Sequence, residues 1–172
     1  MSAASTDSGM KQALRELNAT DQRRVALLLA DLALPFGDLA DLAVRPLRLI
    51  AADLRDTEDP TQIDRIRRQL WDSPALHVTE EPTDAPSWYA YGAVIAWIYA
   101  ADALCTSPSD GLTNTYVRLM DLLDEAENDL MIPGLCDRFE AAVADVLAGN
   151  GESVAVLRPE IEAIAQRIDG RA

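Results

Sequence analysis

Positive charge is scarce in this chain, and lysine is nearly missing. Of 172 residues, 15 are basic and 29 are acidic, so the formal net charge is −14. Lys11 is the single lysine, and the other basic residues are arginines, a usage typical of high-GC bacterial genomes. Binding to nucleic acid requires cations that displace counterions from the phosphates, so nucleic acid is not an expected partner. A basic protein surface fits this charge better.

The residues that most often carry catalysis are also rare. His77 is the only histidine, and the two cysteines, Cys105 and Cys136, are far apart in the sequence. A zinc site would need more such ligands, and a cysteine nucleophile would need a nearby base. Serines occur, but there is no glycine-flanked nucleophile elbow of the Gly-x-Ser-x-Gly type and no glycine-rich phosphate loop. We therefore expect two reduced, buried thiols, no catalytic residue, no bound metal and no cofactor.

Long apolar runs are missing too. The most apolar segment, from Trp88 to Leu104, contains fourteen uncharged residues before Asp102, too few to span a bilayer. Residues 1–9 lack the charged and apolar regions of a signal peptide and are predicted to form a disordered arm. Residues 10–172 are predicted to form one domain. These features favour a cytoplasmic protein without a membrane partner.

What the chain does contain is alanine and leucine at helical spacing. Val25, Leu28, Leu29 and Leu32 illustrate the i, i+3, i+4, i+7 pattern of one buried helix face. No alternating run is long enough for a strand. The sequence therefore predicts an all-α fold, a single compact multi-helix bundle of six to eight helices. The segment from Trp88 to Leu104 is apolar on every side and is predicted to be its central helix.

Capping residues and prolines predict several helix boundaries. Thr20, Asp59 and Asp110 are expected to cap helices, and Asp59 is followed by a proline, which suits the first helical position. Pro46 either kinks a helix or opens a new one, and we favour the second interpretation. Pro159 leaves two alternatives open, one kinked helix or two abutting helices.

An acidic helix face is the feature most open to a functional interpretation. Residues 79–131 hold ten acidic residues and one basic residue, Arg118. Most such faces are simply solvated. Two sharper hypotheses are a docking face for a basic partner and a Mg²⁺ site built from paired carboxylates. The candidate partner-binding residues are Asp121, Asp124, Glu125 and Asp129.

A second candidate is a polar-lined pocket on the apolar helix. Asp102 lies on its apolar stripe near the C-terminal end, where burial and the helix dipole disfavour a carboxylate. We expect Asp102 to have an arginine or a tyrosine hydroxyl as partner. Trp88, Tyr91, Tyr99 and Asp102 are the candidate lining residues. The same aromatic cluster also fits core packing or a homodimer interface.

Three features follow one another along the chain: a leucine-rich helix, the break Leu34-Pro35-Phe36-Gly37, and an alanine-rich helix with Tyr91-Gly92 that leads to Ala103-Leu104-Cys105. This order resembles that of small all-helical bacterial proteins of the YjaG type. The resemblance covers roughly residues 20 to 105. It implies an all-helical fold and no activity, and no functional residue is carried over from it.

Three functions follow as hypotheses. The first is a non-enzymatic protein-interaction module that docks a basic partner or self-associates, like bacterial immunity or antitoxin proteins in size, charge and helicity. The second is a Mg²⁺-dependent enzyme acting on a phosphorylated small molecule through Asp121, Asp124 and Glu125. The third is a small-molecule-binding helical bundle.

Overall fold

The structure is a computed structural model that describes residues 3–40, 45–73, 76 and 82–170, with side chains from Gly9 onward. These residues form helices and no strand. The helices are α1 (Ala3–Arg15), α2 (Ala19–Asp31), α3 (Leu34–Gly37), α4 (Leu47–Asp56), α5 (Pro60–Trp71), α6 (Ala85–Cys105), α7 (Pro108–Asp129), α8 (Leu135–Leu147) and α9 (Glu152–Asp169). The all-α prediction is confirmed. The predicted count of six to eight is one short of these nine, because Leu34–Gly37 forms a one-turn helix of its own.

The hydrophobic core is one continuous cluster to which every helix of two turns or more contributes. Its largest fully buried side chains are Trp97, Tyr89, Tyr116, Phe36 and Phe139. None of the described helices combines the length and the apolar character that a membrane crossing requires.

Small residues let α6 and α7 pack closely. A Cβ atom added to Gly111 of α7 would lie 2.3 Å from the backbone nitrogen of Ala103 on α6. A Cβ atom added to Gly92 of α6 would lie 2.5 Å from a methyl group of Leu122 on α7. The two helices run antiparallel and are connected by two residues. The start of α6 therefore lies beside the end of α7.

The predicted caps are partly confirmed. Asp59 caps α5, and its side chain accepts a hydrogen bond from the backbone N–H of Thr61. The prediction for Thr20 is wrong, because Asn18 caps α2 and Thr20 already lies inside the helix. The prediction for Asp110 is wrong as well, since the Ser107 hydroxyl accepts a hydrogen bond from the Asp110 N–H. A capping side chain must precede the first helical residue, and these two lie within the first turn.

The two ambiguous prolines behave differently. Pro46 immediately precedes α4, which supports a new helix at that point. Pro159 lies inside α9, which is one continuous helix from Glu152 to Asp169. Residues 41–44 lie outside the described residues. The helix α1 begins at Ala3, within the segment predicted to be an arm, and the disorder of residues 1–9 stays a prediction.

Candidate functional site

A groove lies where the N-terminal end of α6 meets the C-terminal end of α7. Its volume is about 270 Å³. The lining residues are Pro82, Thr83, Ala85, Trp88, Tyr89, Glu125 and Asp129. Three of them were predicted as site residues, Trp88 in the aromatic set and Glu125 and Asp129 on the acidic face. The groove therefore joins two candidate features that lie almost forty residues apart in the sequence.

The start of α6 is fixed by its cap. The Asp84 carboxylate accepts a hydrogen bond of 2.9 Å from the backbone N–H of Ser87. The hydroxyl and the backbone N–H of Ser87 hold the pKa of Asp84 below its usual value. Pro86 occupies the first turn, where its missing N–H leaves no hydrogen bond unmade. Trp88 and Tyr89 follow within the first turns of this helix and line the groove.

The aromatic wall of the groove is held by ring packing. The Trp88 ring meets the Tyr89 ring edge-on at a centroid distance of 5.1 Å. Tyr89 also stacks on Phe36 of α3 at 5.2 Å. Only 1% of Tyr89 is exposed, whereas Trp88 is half-buried. The indole of Trp88 is thus a supported surface onto which a ligand can pack.

The acidic wall comes from one face of α7. Glu125 and Asp129 are exposed and one helical turn apart, so their carboxylates lie on the same face. The Tyr89 hydroxyl donates to Asp129 Oδ2 at 3.3 Å, which links the acidic wall to the aromatic wall. Carboxylates beside an aromatic ring face are the chemistry that binds guanidinium or ammonium groups.

The remaining part of the acidic face points elsewhere. Asp124 lies with Glu127 of α7 and Cys136 of α8, and their ligand-type atoms are all within 4.8 Å of one another. Glu127 accepts a 3.2 Å hydrogen bond from the Cys136 N–H, which serves the start of α8, where Gly134 offers no capping side chain. Asp121 is exposed and belongs to neither group.

The surroundings of the Cys136 thiol disfavour its thiolate form. Burial and then the charges of Glu127, Asp124, Glu140 and Asp137 raise its pKa to about 12. The thiolate is the form that acts as a nucleophile, so these surroundings do not activate Cys136 for nucleophilic attack. Both cysteines are free and half-buried, so the prediction of buried thiols is wrong, and their reduced state stays a prediction.

Asp102 has the arginine partner that the sequence required. Arg67 of α5 reaches it at 3.4 Å and also contacts Asp64 at 3.2 Å. Burial raises the pKa of Asp102, and the nearby Arg67 only partly opposes that effect. The ion pair connects α5 to α6 and gives Asp102 a structural role.

The four residues of the predicted pocket are spread along α6. Trp88 and Asp102 are fourteen residues apart on one continuous helix, which at 1.5 Å per residue is about 21 Å. Tyr91 and Tyr99 are half-buried between these ends. A single small pocket does not extend over that distance, and only Trp88 contributes to the groove.

Sequence reasoning missed a third cluster, centred on Asp31. This aspartate ends α2, and only 10% of its side chain is exposed. It pairs with Arg55 of α4 at 2.9 Å and with Arg158 of α9. The signal was a lone carboxylate inside the apolar run from Val25 to Phe36, but nothing in the sequence indicates which arginines meet it.

No protein-family model matches the chain, and neither the curated proteins nor the solved structures contain a significant match. The resemblance to proteins of the YjaG type stays a prediction. His77 and the acidic residues Glu80 and Glu81 lie outside the described residues.

Proposed function

We propose that this protein is a non-enzymatic interaction module that binds a basic protein partner. In this proposal one arginine or lysine side chain of the partner occupies the groove between α6 and α7. The observation that carries it is that Glu125, Asp129 and Trp88 line a single groove. A cation seated there would pack on the indole and pair with two carboxylates, a combination that favours a guanidinium group.

The net charge supports the same partner. A chain with a net charge of −14 attracts a basic surface over long distances and so accelerates its association. The groove then supplies the short-range contacts.

The proposal includes a scaffold role for α6. We infer that α6 is the central apolar helix of the bundle, because α2, α3, α4, α5, α7 and α9 pack against it. Asp102 is its only charged residue. Its two largest buried rings, Tyr89 and Trp97, face the core, which leaves less aromatic surface for the homodimer considered from sequence.

The Mg²⁺-dependent alternative has weaker support. It requires Asp121, Asp124 and Glu125 to act together, whereas Glu125 lines the groove and Asp124 lies beside Glu127 and Cys136. Arg118 is the only cation on α7 that could hold a phosphate near them.

The test is a titration of the full chain with N-acetyl-arginine amide, followed by the NMR signal of the Trp88 indole N–H. We expect a saturable shift that the uncharged N-acetyl-leucine amide does not produce. The double variant Glu125→Gln/Asp129→Asn should weaken this binding about tenfold, because two charge-assisted contacts are lost.

The matched control is Asp56→Asn/Glu58→Gln, which removes the same charge from exposed positions far from the groove in sequence. This control should change the affinity by no more than about twofold, because salt screens the attraction between the ligand and distant charges. If both double variants bound N-acetyl-arginine amide equally weakly, only the net charge would matter, and the proposal that the groove is the binding site would be overturned. A constant Trp88 signal throughout the titration would overturn it as well.

A further inference from the structure

We infer that a second cleft, formed by α2, α4 and α9, binds a small molecule through a dianionic phosphate group. The cleft has a volume of about 260 Å³ and is lined by Arg24, Leu27, Leu28, Asp31, Arg55 and Arg158. It is distinct from the groove between α6 and α7 and shares no lining residue with it. The proposal is independent of the partner-binding function.

The cleft has the opposite charge to the molecule as a whole. Three guanidinium groups face one carboxylate, that of Asp31, in a chain whose net charge is −14. Asp21, which lies 3.7 Å from Arg24, is a further carboxylate at the rim. Even with both carboxylates ionised, the cleft keeps a net positive charge that a phosphate would neutralise.

The arginines are positioned before any ligand arrives. Arg55 pairs with Asp31 at 2.9 Å, donates from Nε to the Ala51 carbonyl at 3.4 Å, and lies 5.9 Å from the centroid of the buried Trp97 ring. Arg158 is held by the other oxygen of Asp31. Each guanidinium group has five N–H donors in a planar fork, so one carboxylate cannot occupy those of two arginines. The side chains of Arg55 and Arg158 are 42% and 46% exposed, which gives an anion access to the remaining donors.

Size and charge both indicate a phosphate group. The volume falls just below the range of about 300–1,000 Å³ that is usual for drug-sized ligands, so the cleft suits a small anion. Arginine forks match the oxygen geometry of phosphate and bind it bidentately. Leu27 and Leu28 form an apolar wall against which the carbon part of a phosphomonoester can pack.

The test exploits two neighbouring arginines on α2. Arg24 lines the cleft, whereas Arg23 is exposed and does not. The side chain of Arg24 is 60% exposed and its ion pair with Asp21 is long, at 3.7 Å, so Arg24→Gln should leave the fold intact. Arg23→Gln removes the same charge from the same helix and is the matched control.

The measurement is isothermal titration of the full chain with inorganic phosphate and with glycerol 3-phosphate, at an ionic strength held constant with KCl. We expect saturable binding by the wild type, about tenfold weaker binding by Arg24→Gln, and a change within about twofold for Arg23→Gln. Tighter binding of glycerol 3-phosphate identifies an organic phosphate ester as the ligand, and equal binding identifies free phosphate. No saturable heat at constant ionic strength, or equal losses in the two variants, would overturn the proposal.

Discussion

Two carboxylates at helix ends, Asp31 and Asp102, are stabilised in different ways. Asp31 is nearly enclosed and meets two arginines. Asp102 is 28% exposed and meets one, at 3.4 Å. Taking a carboxylate out of water is costly unless partners restore the lost hydration energy. A single longer contact does so incompletely, which is why burial still raises the pKa of Asp102.

Asp102 should therefore give the stability of the protein a distinct pH dependence. A carboxyl whose pKa is raised on folding binds its proton more tightly in the folded state, so it stabilises the fold fully below its unfolded value of 3.8. That contribution is lost as the pH rises through the higher folded pKa. In Asp102→Asn the contribution is absent. Its free energy of unfolding, measured by urea denaturation, should thus rise relative to wild type as the pH increases above 3.8.

The variant Arg67→Gln sharpens this experiment. Arg67 lowers the pKa of Asp102 by its charge and its hydrogen bond, so removing it should make the loss of stability with rising pH steeper. A flat difference between wild type and Asp102→Asn over the whole range would mean that Arg67 fully compensates the burial.

The sequence indicated that Asp102 needs a partner, but it did not indicate which residue is that partner. The position of Asp102 on an apolar stripe predicts that an oppositely charged or hydroxyl group approaches it. Arg67 is 35 residues away on another helix, and only the packing of α5 against α6 brings the two together. Asp31 was missed because a lone acid at a helix end is usually exposed, whereas here α4 and α9 cover it.

At the scale of the helix, a proline in its interior destabilises α9. Pro159 lies in its interior, where it has no N–H to donate to the carbonyl of Ala155. Both Pro159 and Ala155 are exposed, so water can hydrate that carbonyl and the helix continues. The inner face, which includes Leu157 and Ile161, keeps the phase that the sequence predicted.

Replacing this proline should stabilise the protein. Pro159→Ala restores the missing hydrogen bond and removes a steric clash, and we expect the free energy of unfolding to rise by about 1–3 kcal/mol. The control is Pro60→Ala at the first position of α5, where an unpaired N–H is normal and the change should stay within about 0.5 kcal/mol. Urea denaturation of both variants measures the difference. An unchanged stability in Pro159→Ala would mean that packing against α8, rather than the proline, sets the geometry of α9.

The helices were more predictable than their starts because periodicity is a property of many residues and a cap depends on one. The apolar spacing in α2, α5 and α9 still predicts a helix when a single residue of the pattern is misinterpreted. By contrast, Thr20 and Asp110 each have a competing side chain two or three residues earlier, and Asn18 and Ser107 make the capping hydrogen bonds. Propensity alone does not decide between neighbours that can both cap.

At the scale of the whole molecule, the candidate sites depend on how distant segments meet. Composition predicted an acidic helical protein, and the acidic face and the aromatic cluster were both found as separate features. Their union in one groove follows from the antiparallel packing of α6 and α7, where Gly92 and Gly111 permit close contact. The cleft at Asp31 likewise needs three helices that are far apart in the chain.

The net charge itself should limit stability. With 29 acidic and 15 basic residues, mutual repulsion favours the expanded unfolded chain. Raising KCl from about 10 mM to about 150 mM shortens the screening length from about 30 Å to about 8 Å and should weaken this repulsion. We expect a gain of about 1 kcal/mol, or about 2–4 °C in Tm for a chain of this size. The exposed ion pairs, such as Arg48–Asp38 and Arg45–Asp53, weaken with salt but contribute little.

Differential scanning calorimetry in KCl measures the effect. Phosphate is left out of the buffer so that it does not bind in the cleft formed by α2, α4 and α9. The variant Glu125→Gln/Asp129→Asn removes two negative charges from the most acidic region and should reduce the rise of Tm with salt. At low salt, where repulsion is strongest, the Tm of this variant should also be higher than that of the wild type. If Tm instead fell as KCl increased, the ion pairs between helices would outweigh the net repulsion. The acidic surface would then be balanced internally, and its attraction for a basic partner would have to come from the groove alone.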